Sequence, residues 1–369
     1  MYDVAIIGAG PAGATLARLI GSSRKVLLLE KRSLLEKYSE PSPVKCCGGL
    51  LAPDAQNMLA RLGLGVPREV LVGPQLFTVR TIDVRTSRER YYQRHYINMD
   101  RESFDRYLVS LIPPAVDIRC RCRVGAVLPG SEGGKVTFSS EGREYSEEAR
   151  LIVAADGASS SCSRRFAGPK HRPGVYTAIQ EWFASSEALP YYSVIFDGGI
   201  TDYFCWTIPK EDLLIVGAAL RAGKDAHQAF EKLKARLGEL GFNLGKSVRK
   251  NGALIFRPIY QSHLYYGSDN VAFIGEAGGF ISPTSGEGLS YAFRSALALA
   301  EAILEGGGDV IRRYEKKGAV LRENLLVKRI KLPFMYNPFV RNLVMISGAR
   351  SMKIHGQALR SVTGNEKVI

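Results

Sequence analysis

Gly8, Gly10 and Gly13, followed by an acid at Glu30, have the residue types and the spacing that bind a dinucleotide. Gly8 permits a tight turn after a strand. Gly10 lets the backbone approach a pyrophosphate with no Cβ in the way, and Gly13 lets helix and strand pack closely. A helix starting at Pro11 would direct free N–H groups and a partial positive charge at the phosphates. Glu30 would accept hydrogen bonds from ribose hydroxyls, and its charge disfavours a 2′-phosphate, so this is not an NADP pocket. The details favour FAD.

These residues need two strands and a helix to hold them. Tyr2-Asp3-Val4-Ala5-Ile6-Ile7 reads as a short buried strand, and Lys25-Val26-Leu27-Leu28-Leu29-Glu30 reads as a second one ending in the acid. Two later segments repeat the pattern of a buried strand running into a small-residue turn. One is Leu151-Ile152-Val153-Ala154-Ala155-Asp156-Gly157, leading to Arg164. The other is Val271-Ala272-Phe273-Ile274-Gly275-Glu276, leading through Pro283, Gly286 and Gly288 to Leu289. Residues 54–62, 226–240 and 288–304 read as helices. Asp100 is a plausible N-cap for a helix through Arg101 and Phe104. The loop over residues 31–51 is long, which in a compact domain usually marks function or disorder.

With 369 residues the chain can hold two or three domains' worth of core. No run is long and apolar enough to span a bilayer, since 291–304 carries Arg294 and Glu301. The first strand begins at once, which leaves no room for a signal peptide, so a cytoplasmic location is expected. The net charge is +14, and it is uneven: residues 309–369 hold 13 Lys/Arg and 4 Asp/Glu, against 37 and 32 in residues 1–308. Such a basic segment suits anionic lipid headgroups, an acidic protein or an anionic substrate, or is simply a solvated face. No nucleic-acid partner is expected.

Six cysteines form no paired zinc pattern, and the five histidines show no metal spacing, so no metal is expected. Strict alternation over 116–124 puts Cys120 and Cys122 on the same face of one half-buried strand, read as running over 116–127. In the C-terminal segment Ile311, Tyr314, Gly318, Leu321 and Leu325 recur at helical steps, predicting a helix packed on the body. The apolar stretch 334–346 reads as a core helix, a cap on a substrate pocket or a contact with a membrane interface.

Taken together, the fingerprint, Arg101 in Arg-x-x-Phe-Asp, Asp156-Gly157 through Arg164, and 275–288 resemble the flavoprotein superfamily of p-hydroxybenzoate hydroxylase. The resemblance implies an α/β fold with an α+β insert: a Rossmann-like FAD-binding domain of three-layer ββα architecture and an inserted antiparallel sheet for substrate. It also implies FAD contacts from Gly8, Gly10, Ala12, Gly13, Glu30, Lys31, Arg101, Asp156, Gly157, Gly275, Glu276, Pro283, Gly286, Gly288 and Leu289. Arg101 would lie near the pyrophosphate and ribityl chain, Glu276 would hold ribityl hydroxyls, and the N–H groups of 286–289 would face the flavin ring. Family members usually carry Asp where this chain has Glu276, and the extra methylene moves the carboxylate by roughly 1.5 Å. The expected FAD domain comprises 1–75, 95–165 and 265–308, the substrate sheet 76–94 and 166–264, and a basic helical segment 309–369.

Within that superfamily, Pro43-Val44-Lys45-Cys46-Cys47-Gly48-Gly49 and Phe204-Cys205-Trp206-Thr207-Ile208-Pro209 resemble the geranylgeranyl reductase family. The second motif also resembles that of flavin-dependent halogenases. The resemblance implies an apolar lipid substrate bound by Phe204, Trp206, Ile208, Gly48 and Gly49, and reduction of isoprenoid double bonds with Cys46, Cys47 or a water as proton source. Alternation puts Phe204, Trp206 and Ile208 on one face, either as pocket lining or as plain core. A ferredoxin or NAD(P)H would supply electrons, since no second nucleotide fingerprint follows. The rival readings are a monooxygenase or halogenase, with Lys45 or Lys210 as the halogenase lysine, and a non-catalytic or electron-transfer flavoprotein.

Overall fold

Val4, Ala5, Ile6 and Ile7 are buried on both faces of one strand, and two layers are built against them. The computed structural model describes residues 1–34, 46–187, 189–223 and 225–354. Pro43, Val44 and Lys45 lie outside the described residues, as does much of the long loop. The chain runs through β1 (Tyr2–Ile7), α1 (Pro11–Ile20), β2 (Val26–Leu29), β3 (Leu50–Leu51), α2 (Pro53–Arg61), β4 (Leu76–Asp83), β5 (Arg88–Asn98) and α3 (Arg101–Ser110). Next come β6 (Asp117–Arg119), β7 (Arg123–Gly130), β8 (Gly133–Ser140), β9 (Arg143–Ala154), α4 (Ser161–Phe166), β10 (Gly174–Ala184), β11 (Tyr191–Phe196), β12 (Cys205–Lys210) and β13 (Leu213–Arg221). The remainder is α5 (Ala226–Glu239), β14 (Ser247–Arg257), β15 (Gly267–Ser268), β16 (Val271–Phe273), α6 (Leu289–Leu304), α7 (Val310–Lys317), α8 (Ala319–Tyr336) and α9 (Pro338–Ser347).

Parallel strands β16, β9, β1, β2 and β6 lie side by side in that order. Val4 and Ile6 face a helical layer that includes Leu16 of α1, Phe104 of α3 and Phe293 of α6. Ala5 and Ile7 face the other way, onto Val127 of β7 and Val136 and Phe138 of β8. Strand β9 belongs to both the parallel layer and the antiparallel ribbon of this sheet. Its first half pairs antiparallel with β8, and its second half pairs parallel with β1 and β16. The result is the expected three-layer ββα arrangement. Ile7, Leu29, Ala154 and Phe273 end their strands on one edge, where ligands bind in open parallel sheets.

The single strand expected over 116–127 is two. β6 pairs with β2, while β7 joins the antiparallel ribbon. Arg121 between them is left-handed (φ 57°), which turns the chain. Cys120 therefore packs on the helical side and Cys122 on the other, not on one face as alternation predicted.

The second sheet runs β14-β10-β13-β12-β11-β4-β5-β3, antiparallel except where β4 meets β11. Helix α5 covers one face, with Phe230, Leu233 and Leu237 against Ile195, Cys205 and Val216. The opposite face is aromatic and apolar, carrying Tyr176, Trp182, Phe204, Trp206, Ile208 and Ile215. The helical pattern from Ile311 to Leu325 divides into α7 and α8 at Gly318. A side chain there would meet the Tyr266 ring at 2.2 Å, and the Tyr266 hydroxyl donates to the Gly318 carbonyl at 2.7 Å. No helix among the described residues is long and apolar enough to cross a membrane.

Candidate functional site

At the carboxyl end of β1 the chain turns through Gly8, whose φ of 102° excludes most side chains. A Cβ on Gly13 would lie 1.9 Å from the Gly8 carbonyl oxygen, so helix and turn touch directly. Gly10 differs: its own backbone is ordinary (φ −69°), and no atom lies within 4 Å of where its Cβ would stand. The space before Gly10 is open, and the N-terminus of α1 behind it has no side-chain cap. The Glu30 carboxylate ends β2 beside this turn and accepts the Ala9 N–H at 2.7 Å. Asp156 ends β9 against Gly8, and its buried Oδ1 has no partner among the described residues. Burial raises the Asp156 carboxyl above the usual range, opposed by hydrogen bonds from the Ser160 side chain and the local backbone and, less, by the charge of Lys31. Gly157 turns the chain away with φ 76°.

From Glu30 a line of paired charges runs inward. Arg32 binds Glu30 at 3.1 Å and Asp105 at 2.9 Å, and Asp105 binds Arg101 at 2.7 Å. Arg101 then donates to the Cys47 sulfur at 3.3 Å. Burial works against the charge on Arg101, but Asp105 and Cys47 outweigh it and hold the guanidinium protonated. Burial likewise opposes ionisation of Asp105, yet Arg101 and Arg32 hold it below the usual carboxylate range. Asp100 caps α3 through the Ser103 N–H, as expected, and so fixes where Arg101 and Asp105 begin.

The second glycine turn meets the first. Gly275 (φ 58°) packs so close to α1 that its Cβ would stand 3.0 Å from the Ala12 methyl. The Glu276 carboxylate reaches across to β14 and accepts the Phe256 N–H at 2.9 Å, so the longer side chain ties this turn to the second sheet. Pro283 accepts from Arg257, and Gly286 (φ 62°) stands near Ile255 and the Tyr203 hydroxyl. Gly288 and Leu289 open α6, where Glu287 caps the Ser290 N–H. Burial pushes the Glu287 carboxyl up.

Cys46, Cys47, Gly48 and Gly49 run directly over the aromatic face of the second sheet. The Cys46 thiol donates to the carbonyls of Ala178 and Asn251 at 3.6 and 3.7 Å. A Cβ on Gly48 would meet Ile208 at 2.4 Å. Gly49 (φ 63°) is clamped by Lys210, whose ammonium reaches the carbonyls of Gly49 and Met99 and the Asn98 side chain at 3.4, 2.7 and 2.7 Å. Burial lowers Lys210 to about 8.

Phe204, Trp206 and Ile208 share one face, as alternation predicts, and all are buried. One row of this wall is polar. Asn251, Gln180, Gly217 and Trp206 are cross-strand neighbours in that order. The indole of Trp206 lies over Gly217, where a Cβ would meet it at 2.2 Å. Trp206 Nε1, Gln180 Oε1 and Asn251 Oδ1 are buried and have no partner among the described residues. Such atoms are costly unless a ligand or water pairs them.

The structure thus brings the sequence-predicted residues into two adjoining groups, a glycine-lined cradle and an apolar wall bridged by the Cys46–Gly49 segment. Arg32, Asp105, Gln180 and Glu287 were not singled out by sequence. Asp105 stands one turn after Arg101 on α3, a spacing that signals an ion pair. Gln180 carries no such signal, because its role depends on strand register.

The open space at Gly10, the unpaired Asp156 oxygen and the carboxylate of Glu30 fit a dinucleotide. Residues 1–180 match the FAD-binding domain family. A protein named CbrA from Escherichia coli O157:H7 is 39% identical over 349 residues, covering 94% of this chain and 97% of its own. Among solved structures, a geranylgeranyl bacteriochlorophyll reductase-like protein from Thermoplasma acidophilum is similar at a TM-score of 0.80 and 19% identity, with 98% and 96% of the chains covered. A triple mutant of the flavin-dependent brominase Bmp2 is similar at 0.70 and 19%, with 95% and 92% covered. These two share the fold of FAD-dependent oxidoreductases. At 39% identity over nearly its whole length, this chain belongs to the family of the CbrA proteins, and its match to the FAD-binding domain family over residues 1–180 makes it a flavoprotein that binds FAD.

Proposed function

We propose that the protein reduces carbon–carbon double bonds of an isoprenoid, geranylgeranyl-type lipid. The observation that carries this reading is the wall of Tyr176, Phe204, Trp206, Ile208 and Ile215 beneath the Cys46–Gly49 segment. A wall of that composition suits a long apolar chain, and it excludes water from an alkene that is poorly polarised. The likeness in fold to the reductase-like protein from Thermoplasma acidophilum supports it. Bound FAD supplies the hydride.

In this reading Gly8, Gly10, Ala12 and Gly13 would cradle the pyrophosphate and Glu30 would bind the adenosine ribose. Arg101, Asp156 and Glu276 would hold the middle of the cofactor, and residues 286–289 would face its ring. Phe204, Trp206 and Ile208 orient the lipid, and the unpaired Trp206 Nε1 and Gln180 Oε1 bind a polar group on it. Cys47 is the better placed proton source of the two cysteines. Cys46 is buried and donates to backbone carbonyls, whereas Cys47 is partly exposed and its sulfur accepts from the Arg101 guanidinium and the Gly49 N–H, at the junction of the cradle and the apolar wall. The reduction is balanced when hydride adds to one alkene carbon and the thiol proton to the other, with the thiol reprotonated from solvent. Electrons come from NAD(P)H or a ferredoxin.

The second reading, a halogenase or monooxygenase, is supported by Ile208 in the sheet motif and the likeness in fold to the brominase. Lys210 does not favour it, because its ammonium is committed to Gly49, Asn98 and Met99. The test is anaerobic photoreduction of the FAD-loaded protein, then addition of geranylgeranyl lipids. Reoxidation with a mass gain of about two per double bond is expected. Reoxidation only on admitting air, with an oxygenated or halogenated product, would replace this reading with the second.

A further inference from the structure

The two C-terminal helices present apolar side chains to solvent that nothing in the chain covers among the described residues. On α8, Leu326, Val327, Ile330 and Phe334 are 42, 50, 63 and 51% exposed. On α9, Phe339, Leu343 and Ile346 are 71, 51 and 52% exposed. Val327, Ile330 and Phe334, with Leu326 beside them, and Phe339, Leu343 and Ile346 recur at steps of three and four, so each set forms a stripe along one side of its helix. The opposite sides are anchored. Leu321, Leu325, Arg341 and Met345 are buried, and Arg341 pairs with buried Asp83 at 2.6 Å. Single exposed apolar residues need no account, but stripes of them on consecutive helices do.

The charge around the stripes has one sign. Residues 324–354 hold six Lys/Arg and no Asp/Glu. Lys328 and Arg341 are used in ion pairs with Asp54 and Asp83. Arg329, Lys331, Arg350 and Lys353 are exposed and make no salt bridge to a described residue. On α8, Arg329 and Lys331 border Ile330 in sequence and so fall to either side of its stripe. Large apolar groups with basic residues at their margins match a bilayer with anionic headgroups: the apolar chains enter the acyl boundary and the cations meet the phosphates.

The same helix also walls the candidate substrate site. Met335 and Tyr336 turn inward to the aromatic cluster, with Tyr336 5.4 Å from Tyr203 and 5.7 Å from Phe196, and its hydroxyl donates to the Thr284 carbonyl. The exposed Phe334 thus stands only two residues from Tyr336, which packs on the aromatic cluster.

We infer that α8 and α9 dock this protein peripherally on an anionic membrane surface, with Ile330, Phe334, Phe339 and Leu343 inserted and Arg329, Lys331, Arg350 and Lys353 against the headgroups. The inference goes beyond the proposed reaction and does not depend on it. The docked orientation would bring the aromatic cluster around Tyr336 near the membrane surface.

The test is sedimentation of the full FAD-loaded chain with phosphatidylglycerol vesicles and with phosphatidylcholine vesicles at low salt. Binding to the anionic vesicles is expected to be at least about tenfold tighter, and to weaken as salt is raised. The variant Ile330→Glu/Phe339→Glu/Leu343→Glu should lose binding at least about tenfold. Its FAD content and elution volume as a folded protein should be unchanged. A second variant, with Arg329, Lys331, Arg350 and Lys353 all changed to Gln, should lose the preference for anionic lipid. Wild-type protein that stays in the supernatant at low salt overturns the inference. So does a wild-type dimer that the glutamate variant converts to a monomer without any vesicle binding, because the face would then be an interface between two copies. Vesicle binding without turnover on any isoprenoid would leave the docking surface standing and remove only the proposed reaction.

Discussion

Arg101 donates to the sulfur of Cys47 at 3.3 Å while its Nε is held by Asp105 at 2.7 Å. Cys47 of the 46–49 segment is thereby tied, through Asp105 and Arg32, to the Glu30 carboxylate at the other end of the cradle. The glycine-lined cradle and the segment over the apolar wall share one chain of paired charges.

The first prediction concerns Asp105. It neutralises two guanidinium groups, and changing it to Asn leaves Arg101 without a carboxylate and Arg32 with Glu30 alone. Breaking such a buried arrangement costs about 3–5 kcal/mol. The folded carboxyl lies below the usual range, opposed by burial and held down by Arg101 and Arg32. A lowered folded value gives stability that is present above the unfolded pKa of about 3.9 and lost as pH falls through the folded value. Urea unfolding of wild type and D105N should therefore show the full gap at neutral pH and a narrowing gap below about pH 4. A gap that stays constant into acid would show that Asp105 acts through packing.

Gly10 and Gly13 should fail in different ways. Ala at position 13 puts a Cβ 1.9 Å from the Gly8 carbonyl, so G13A should lose about 1–3 kcal/mol of stability even without cofactor. Ala at position 10 meets no protein atom within 4 Å and sits in a backbone that any residue adopts, so G10A apoprotein should be as stable as wild type. Its FAD affinity should fall about tenfold or more, which is about 1.4 kcal/mol. Calorimetry of the apoproteins together with FAD titration separates the two. A G10A protein that binds FAD normally would remove Gly10 from the cradle.

Lys210 supplies a prediction of opposite sign to that of Asp105. Burial lowers it to about 8 in the folded chain, against about 10.4 when unfolded. Between those values the unfolded chain holds more protons, so this group's contribution to stability rises with pH across that window. Measured against K210M, wild type should gain stability from about pH 8 to about pH 10. A flat difference would mean that its contacts to Gly49, Asn98 and Met99 keep it fully charged.

The legible parts of this molecule were those written in local spacing. The first βαβ unit, the cap at Asp100 and the shared face of Phe204, Trp206 and Ile208 follow from periodicity and turn chemistry alone. The break at Arg121 was not legible, because alternation continues through Cys120 and Cys122 and only the left-handed residue between them reverses it. The division at Gly318 depends on the Tyr266 ring, distant in sequence. Gln180 and Asn251 became neighbours of Trp206 only through the register of three strands. Glu276 was legible as a departure from the family pattern, but its partner on β14 was not.

The last prediction separates the two cysteines. Cys46 is buried with its thiol turned to the carbonyls of Ala178 and Asn251, so C46A should change packing more than chemistry. Cys47 is partly exposed, and its sulfur accepts from the Arg101 guanidinium and the Gly49 N–H. Removing a proton donor slows such a step by about 10²–10⁴. C47A should therefore reduce lipid turnover by that order while FAD binding and the rate of flavin reduction stay near wild type, and C46A should keep most of its turnover. The solvent deuterium isotope effect adds a readout that packing alone would not move. It should grow in C47A, where proton delivery becomes the slow step, and stay unchanged in C46A. Equal, modest losses in both variants would point to a water as the proton source and leave Cys47 as the residue through which Arg101 positions the Gly48–Gly49 turn.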